Sequence, residues 1–213
     1  MAANYNNNIR RMPVVKTVFL GDQSVGKSNL IRSYLGYEFD EYLYSNIGSD
    51  RFDKKINFED KDYKILIFDT PGQERFRHTI RWVLRNINII ILVFDMTRKK
   101  SFLELDIFLE YIQENSSNFD NLTFLLIGNK ADLSDKWEIK EKDAKKFAEI
   151  MKSKFFLSSA KNKPGELKQF LDEFFLEYIN KYKLELENPQ NAQRVQRIQN
   201  LNNRPNRRRN NCT

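Results

Sequence analysis

The sequence contains few of the residue types on which several common functions depend. Its 213 residues include one Cys and one His. A single Cys excludes a disulfide scaffold and a zinc site built on cysteines, and it favours a reducing compartment. A single His argues against a catalytic or metal-binding cluster of histidines. The longest apolar stretch, at 87–94, is interrupted by Asn88 and is far shorter than the ~20 residues of a transmembrane helix. The first eight residues, MAANYNNN, lack an apolar core and a Gly after Met, so we expect neither secretion nor myristoylation.

Positive charge is concentrated in the C-terminal residues. The formal net charge is +7, and residues 188–213 contain six Arg and no Lys, Asp or Glu. The rest of the chain therefore carries only +1. An RNA-binding protein that uses this tail is one alternative, but the tail has no aromatic side chain on which a base could stack. We expect no nucleic-acid partner.

Composition and periodicity divide the chain into three zones. An Asn-rich arm at 1–12 and a flexible basic tail at 184–213 flank a central domain at 13–183. The central zone alternates near-continuous apolar runs, typical of strands buried on both faces, with segments of helical periodicity. This pattern predicts an α/β fold with a mostly parallel sheet and helices on both faces. It also predicts an antiparallel hairpin from 51–58 and 63–69, with its turn at 60–62.

A phosphate-binding motif follows the first predicted strand. The segment GDQSVGKS at 21–28 matches G-x-x-x-x-G-K-[ST] and opens a predicted helix. Backbone N–H groups of such a loop point at an anion, Lys27 is predicted to reach the β- and γ-phosphates, and the Ser28 hydroxyl is predicted to bind Mg²⁺. The predicted nucleotide contacts of this segment are Ser24, Val25, Gly26, Lys27, Ser28 and Asn29.

A second motif, DTPGQE at 69–74, follows the apolar run at 64–68. Asp69 at the end of that predicted strand is placed to hold the Mg²⁺ shell. Gly72 offers an N–H to the γ-phosphate, and Gln73 could orient the attacking water. Lys27 and Gln73 are therefore the predicted catalytic residues.

Two motifs predict a pocket for guanine. Asp132, in NKAD at 129–132, could accept hydrogen bonds from the N1–H and the exocyclic amine of guanine, which adenine cannot offer. SAK at 159–161 follows the run at 155–157 and completes the pocket, with the Ala160 N–H available to the guanine O6. The predicted contacts at this end are Asn129, Lys130, Asp132, Ser159, Ala160 and Lys161.

The order and spacing of these motifs resemble those of the small GTPases of the Ras superfamily, across residues 13–183. ERF at 74–76, LVFDMT at 92–97 and SF at 101–102 are similar to the Rab branch. The segment 21–28 together with FD at 39–40 is most similar to the Golgi Rab subgroup usually numbered six. The resemblance implies a P-loop NTPase fold with a six-stranded sheet, bound GTP or GDP with Mg²⁺, and Phe39 packed beside the guanine or ribose.

The resemblance also implies a cellular role. It predicts a monomeric switch in vesicle traffic that hydrolyses GTP slowly unless an activating protein assists. The expected partners are effectors, an exchange factor and that activating protein, on the cytosolic face of Golgi or endosomal membranes. Cys212, beside RRR at 207–209, is a candidate for a single geranylgeranyl group, with an unmodified cysteine as the alternative.

Several positions depart from the family pattern. Asn46 stands where the family uses a threonine to bind Mg²⁺ and sense the γ-phosphate, so Asn46 is the predicted ligand and Ser45 the alternative after a one-residue shift. Gln23 replaces a glycine of Ras-like proteins near the γ-phosphate, and Pro71 replaces an alanine. These departures favour a second hypothesis, a pseudo-GTPase scaffold that binds nucleotide and hydrolyses it poorly; the retained Gln73 opposes it.

Overall fold

The computed structural model describes residues 12–41, 50–71, 81–116, 118–162 and 164–188. Within them, six strands form one sheet in the order β2-β3-β1-β4-β5-β6. β2 and β3 pair antiparallel, and all other neighbouring strands pair parallel, which confirms the predicted fold class. The strands are β1 (Val14–Leu20), β2 (Asp50–Phe58), β3 (Lys61–Asp69), β4 (Ile89–Asp95), β5 (Thr123–Asn129) and β6 (Lys154–Leu157).

Helices cover both faces of the sheet because successive side chains of a buried strand point to opposite faces. In β4, Ile89, Ile91 and Val93 belong to the core beneath the first and last helices, whereas the residues between them belong to the opposite core. The α-helices that lie wholly within the described residues are α1 (Lys27–Tyr34), α2 (Lys99–Leu103), α3 (Leu105–Asn115), α4 (Glu141–Ile150) and α5 (Pro164–Leu186). α1 and α5 pack on one face, and α3 and α4 on the other.

The predicted position of the hairpin turn is wrong. The turn of the β2–β3 hairpin lies at Glu59 and Asp60, not at 60–62, and both residues have positive φ, 48° and 59°. Such a two-residue turn matches the twist of the flanking strands, so both strands continue up to it. The last helix continues to Leu186, and the domain bounds of 13–183 stay a prediction. Glu187 directly after the helix accepts a hydrogen bond from the Tyr63 hydroxyl at 2.5 Å, which holds this end of the helix against β3.

No helix within the described part of the chain combines the length and apolar composition needed to cross a membrane.

Candidate functional site

The parallel strands bring the predicted motifs to one edge of the sheet. Register pairs Phe19 of β1 with Asp69 of β3, and Asp95 of β4 with Asn129 of β5. The loops that leave β1, β3, β5 and β6 therefore start side by side. In open α/β sheets, ligands bind in the crevice beyond the carboxyl ends of the strands.

The loop between β1 and α1 needs glycine at two positions. Gly21 has φ of +149°, and a Cβ there would lie 2.0 Å from the Val93 carbonyl oxygen. Gly26 has φ of +97°, and its Cβ would lie 2.2 Å from Nδ2 of Asn129. Any side chain at either residue would force the loop away from β4 or β5. The two glycines of the motif thus let the loop fold tightly over the strand ends.

Lys27 is buried at the centre of this loop. Lys27 is the first residue of α1. Its Nζ donates hydrogen bonds to the carbonyl oxygens of Gly21 and Asp22, both at 2.9 Å. Burial lowers the pKa of Lys27 from 10.5 to about 8, while the carboxylates of Asp69 and Asp22 act to raise it. A bound phosphate would add negative charge beside the ammonium and favour its charged form. The site is therefore suited to an anion with several charges.

Two oxygen groups meet at the start of α1 and the end of β3. The Ser28 hydroxyl donates a hydrogen bond to Oδ2 of Asp69 at 2.5 Å. Asp69 is 1% exposed, and burial raises its pKa, while the hydrogen bond from Ser28 and the charge of Lys27 act to lower it. A hydroxyl and a carboxylate are the hard oxygen donors that Mg²⁺ prefers, so this pair fits the predicted metal. Next to it, the Thr70 hydroxyl donates to the Phe19 carbonyl at 2.7 Å and fixes the chain as it leaves β3.

Asn129, the last residue of β5, joins two of the loops through its side chain. Its Nδ2 donates to the Val25 carbonyl at 2.8 Å, and its Oδ1 accepts from the Ala160 N–H at 3.2 Å. The side chain is nearly fully buried. One amide thus sets the spacing between the phosphate-binding loop, β5 and the loop after β6.

The side chains predicted to surround the base lie on both sides of one cleft. Phe39 is 38% exposed, and Nζ of Lys161 lies 5.8 Å from its ring centroid. Asn29 holds the Phe39 segment, because its amide donates to the Asp40 carbonyl at 2.8 Å and accepts from the Asp40 N–H at 3.2 Å. Lys130 forms a salt bridge of 2.6 Å with Asp95 at the end of β4.

A cavity of about 490 Å³ collects most of the predicted residues. This volume is typical of a small-molecule site. Three described residues of the predicted site do not line it. The Val25 side chain lies in the core, and Asp69 is buried at the end of β3. Ser159 faces a neighbouring cavity, where its hydroxyl accepts from the Asn162 N–H at 2.9 Å. The predicted residues that do line it are Ser24, Gly26, Lys27, Ser28, Asn29, Phe39, Asn129, Lys130, Asp132, Ala160 and Lys161.

Four predicted site residues lie outside the described residues, namely Asn46, Gly72, Gln73 and Cys212. Their roles stay predictions.

Sequence reasoning missed Arg98. Its Nη2 donates to the Gln23 carbonyl at 2.5 Å and forms a salt bridge of 3.0 Å with Asp22. One signal in the sequence could have indicated it: Arg98 follows Asp95 by three residues, and β4 ends at the same edge of the sheet as β1.

In a comparison with protein families, the model of the Ras family matches residues 16–182. That range begins within β1, spans the other five strands and reaches into α5. It therefore includes every loop that forms the cavity.

Proposed function

The chain belongs to the Ras family, and from this premise we propose that it is a guanine-nucleotide-dependent switch that hydrolyses GTP and regulates intracellular membrane traffic. Ras-family proteins are generally GTPases that bind GTP and GDP with Mg²⁺. One observation carries the proposal: the loops after β1, β3, β5 and β6 converge on a single cavity of about 490 Å³. Its walls combine a buried lysine, a hydroxyl and a carboxylate.

Guanine selection is assigned to Asp132, which lines the cavity beside Lys130 and Lys161. Changing Asp132→Asn replaces an acceptor by a donor opposite the guanine N1–H. We expect GTP affinity to fall by about 10⁴-fold, the scale on which a polar pocket rejects a mismatched ligand, with a shift toward xanthine nucleotides. A competition assay measures this, with the exposed Asp135→Asn as the matched control. Full GTP affinity in Asp132→Asn would reject the assignment.

Hydrolysis is assigned to positioning and charge, because no covalent nucleophile is needed. Bound Mg²⁺ would offset the negative charge of the phosphates. Ser28 and Asp69 would hold that ion, Lys27 would neutralise the phosphates, and Gln73 would orient the water. Residues 40–47 contain no arginine that could assist from within the chain, so we expect a basal rate on the order of 10⁻⁴ s⁻¹ or below.

Single-turnover release of phosphate from GTP-loaded protein tests the assignment. Gln73→Leu should lower the basal rate further and leave GTP binding intact, because it removes the group that orients the water. An activating protein in a cell lysate should raise the rate of the wild type. A rate that is indifferent to Gln73→Leu contradicts the mechanism, and nucleotide binding without hydrolysis in either condition supports the pseudo-GTPase alternative.

A role in membrane traffic is supported by the Rab-like segments at 74–76, 92–97 and 101–102 and by the basic tail. One prenyl chain binds a membrane only marginally, so the six Arg at 188–213 would supply the second, electrostatic contribution on anionic lipid. We propose a geranylgeranyl group on Cys212 and a place on the cytosolic face of Golgi or endosomal membranes. Mass spectrometry of Cys212 from eukaryotic cells tests the modification, and Cys212→Ser should move the protein to the soluble fraction.

A further inference from the structure

Arg98 reaches from the loop after β4 to the outer turn of the phosphate-binding loop. Its Nη2 donates to the Gln23 carbonyl at 2.5 Å and lies 3.0 Å from Oδ2 of Asp22. The backbone of Arg98 is itself fixed, since its N–H donates to the Asp95 carbonyl at 3.0 Å and its carbonyl accepts from the Ser101 hydroxyl at 2.7 Å. The backbone that carries the guanidinium is therefore held in place by two hydrogen bonds.

This contact sets the direction of one peptide group. The bond between Gln23 and Ser24 is trans, so the Gln23 carbonyl and the Ser24 N–H point to opposite sides of the chain. Because Arg98 holds the carbonyl, the Ser24 N–H points away from Arg98. Both Gln23 and Ser24 line the cavity.

The backbone at Ser24 would be more relaxed with this peptide reversed. Ser24 has φ of 62°, in the left-handed region that residues other than glycine rarely occupy. Rotating the 23–24 peptide by half a turn would bring φ to an ordinary negative value. It would also turn the Gln23 carbonyl away from Arg98 and replace an N–H by an oxygen on the opposite side. A carbonyl oxygen repels a phosphate, whereas an N–H binds it.

The turn lies at the phosphate end of the cavity. Nζ of Lys27, the group predicted to meet the β- and γ-phosphates, rests against the carbonyls of Gly21 and Asp22. The Asp22 carboxylate would repel those phosphates, and its two oxygens are engaged elsewhere: Oδ1 accepts from the Gln23 N–H at 2.6 Å, and Oδ2 meets Arg98. Arg98 thus compensates a negative charge as well as orienting a peptide.

We propose that Arg98 is a positioning residue for the polyphosphate of the bound nucleotide. It holds the Gln23 carbonyl outward and so keeps the Ser24 N–H directed at the β- and γ-phosphates. The inference rests on the proposed function, because it assumes that the cavity binds a guanine nucleotide.

The test compares ligands that differ only in their phosphates. Binding of GMP, GDP and a non-hydrolysable GTP analogue to the full chain is measured by calorimetry with Mg²⁺ present. Arg98→Ala should weaken GDP and the GTP analogue by about tenfold, the effect of losing one charge-assisted contact, and should change GMP by less than about twofold. Arg98→Lys should recover part of the loss, because an ammonium can donate to both acceptors but its stem is one atom shorter.

Lys100→Ala is the matched control. It removes a positive charge two residues along the chain, from a side chain that pairs with Glu104 and not with the phosphate-binding loop. It should leave all three affinities unchanged.

An equal loss for all three ligands, no loss, or an equal effect of Lys100→Ala would each overturn the inference. If Arg98→Ala does not fold, the ratio of GDP to GMP affinity in Arg98→Lys decides by the same criterion. A wild type that binds none of the ligands would reject the proposed function. If the wild type binds all three ligands and the Arg98 variants bind them equally well, only the role of Arg98 is rejected.

Discussion

Asn129→Ala should release nucleotide much faster while leaving the sheet intact. The Asn129 side chain joins the phosphate-binding loop to the loop after β6 through Val25 and Ala160. It is 2% exposed, so water cannot readily replace the lost partners. Removing the amide would leave one carbonyl and one N–H in the interior without their hydrogen bonds.

The size of the effect follows from these two contacts. A buried group that loses its hydrogen-bond partner costs about 1–3 kcal/mol. Relaxation of the loops would recover part of this cost, so we expect the bound arrangement to lose about 3 kcal/mol in total. At about 1.4 kcal/mol for each factor of ten, nucleotide dissociation should accelerate by about a hundredfold.

Displacement of a fluorescent GDP by excess GDP measures the rate. Asn88→Ala is the matched control, because Asn88 Oδ1 also accepts a hydrogen bond, from the Lys16 N–H at 2.8 Å, but lies just before β4 at the opposite edge of the sheet. We expect that control to lower the free energy of unfolding and to leave dissociation unchanged. An unaltered rate in a folded Asn129→Ala, or an equal acceleration in both variants, would refute the argument.

Three further outcomes are expected. Ser28→Asn should weaken Mg²⁺-supported binding of GTP more than that of GDP, since an ion held by Ser28 would offset the larger negative charge of the triphosphate; equal losses in a calorimetric titration would count against the role of Ser28. Chelation of Mg²⁺ with EDTA should speed the release of GDP, because Asp69 and Ser28 then hold no ion against the phosphates; a stopped-flow trace that is unchanged by EDTA contradicts this. Asp172→Ala should lower the free energy of unfolding in urea by about 2 kcal/mol, because Asp172 accepts from the buried Tyr34 hydroxyl at 2.9 Å and from Lys54 at 2.8 Å.

The fold and most of the cavity could be predicted because their signals are local in the sequence. Continuous apolar runs mark strands that are buried on both faces, and parallel strands must end at a common edge. Asp69 and Asn129 each close such a run, so their place at the same edge of the sheet follows from topology alone. The two glycines of the β1–α1 loop likewise indicate where the backbone must come close to other strands.

The contacts that fix these loops could not be predicted, since they join residues far apart in sequence. Arg98 and Gln23 are 75 residues apart, and no pattern in either segment identifies the other as its partner. The hairpin turn was misplaced for a different reason. Glu59 and Asp60 occupy a turn whose positive φ values favour Gly or Asn, so the usual composition signal was missing.

Two of the departures from the family pattern, Asn46 and Gln23, are predicted to lie near the γ-phosphate, and this would separate two properties of the site. The end of the cavity predicted to bind the base keeps Lys130 and Asp132. The hydrogen bonds of the Asn129 side chain hold the loops that form its walls. At the phosphate end, Gln23 adds a side chain to the cavity wall on a turn that is fixed from both sides, by Asp22 and by Arg98. Under the proposed function, a fixed turn would not move to make room for that side chain, so its bulk would act on the γ-phosphate and on the attacking water, not on the base. Under the proposed function, selection of guanine and the rate of hydrolysis would therefore be set by different residues.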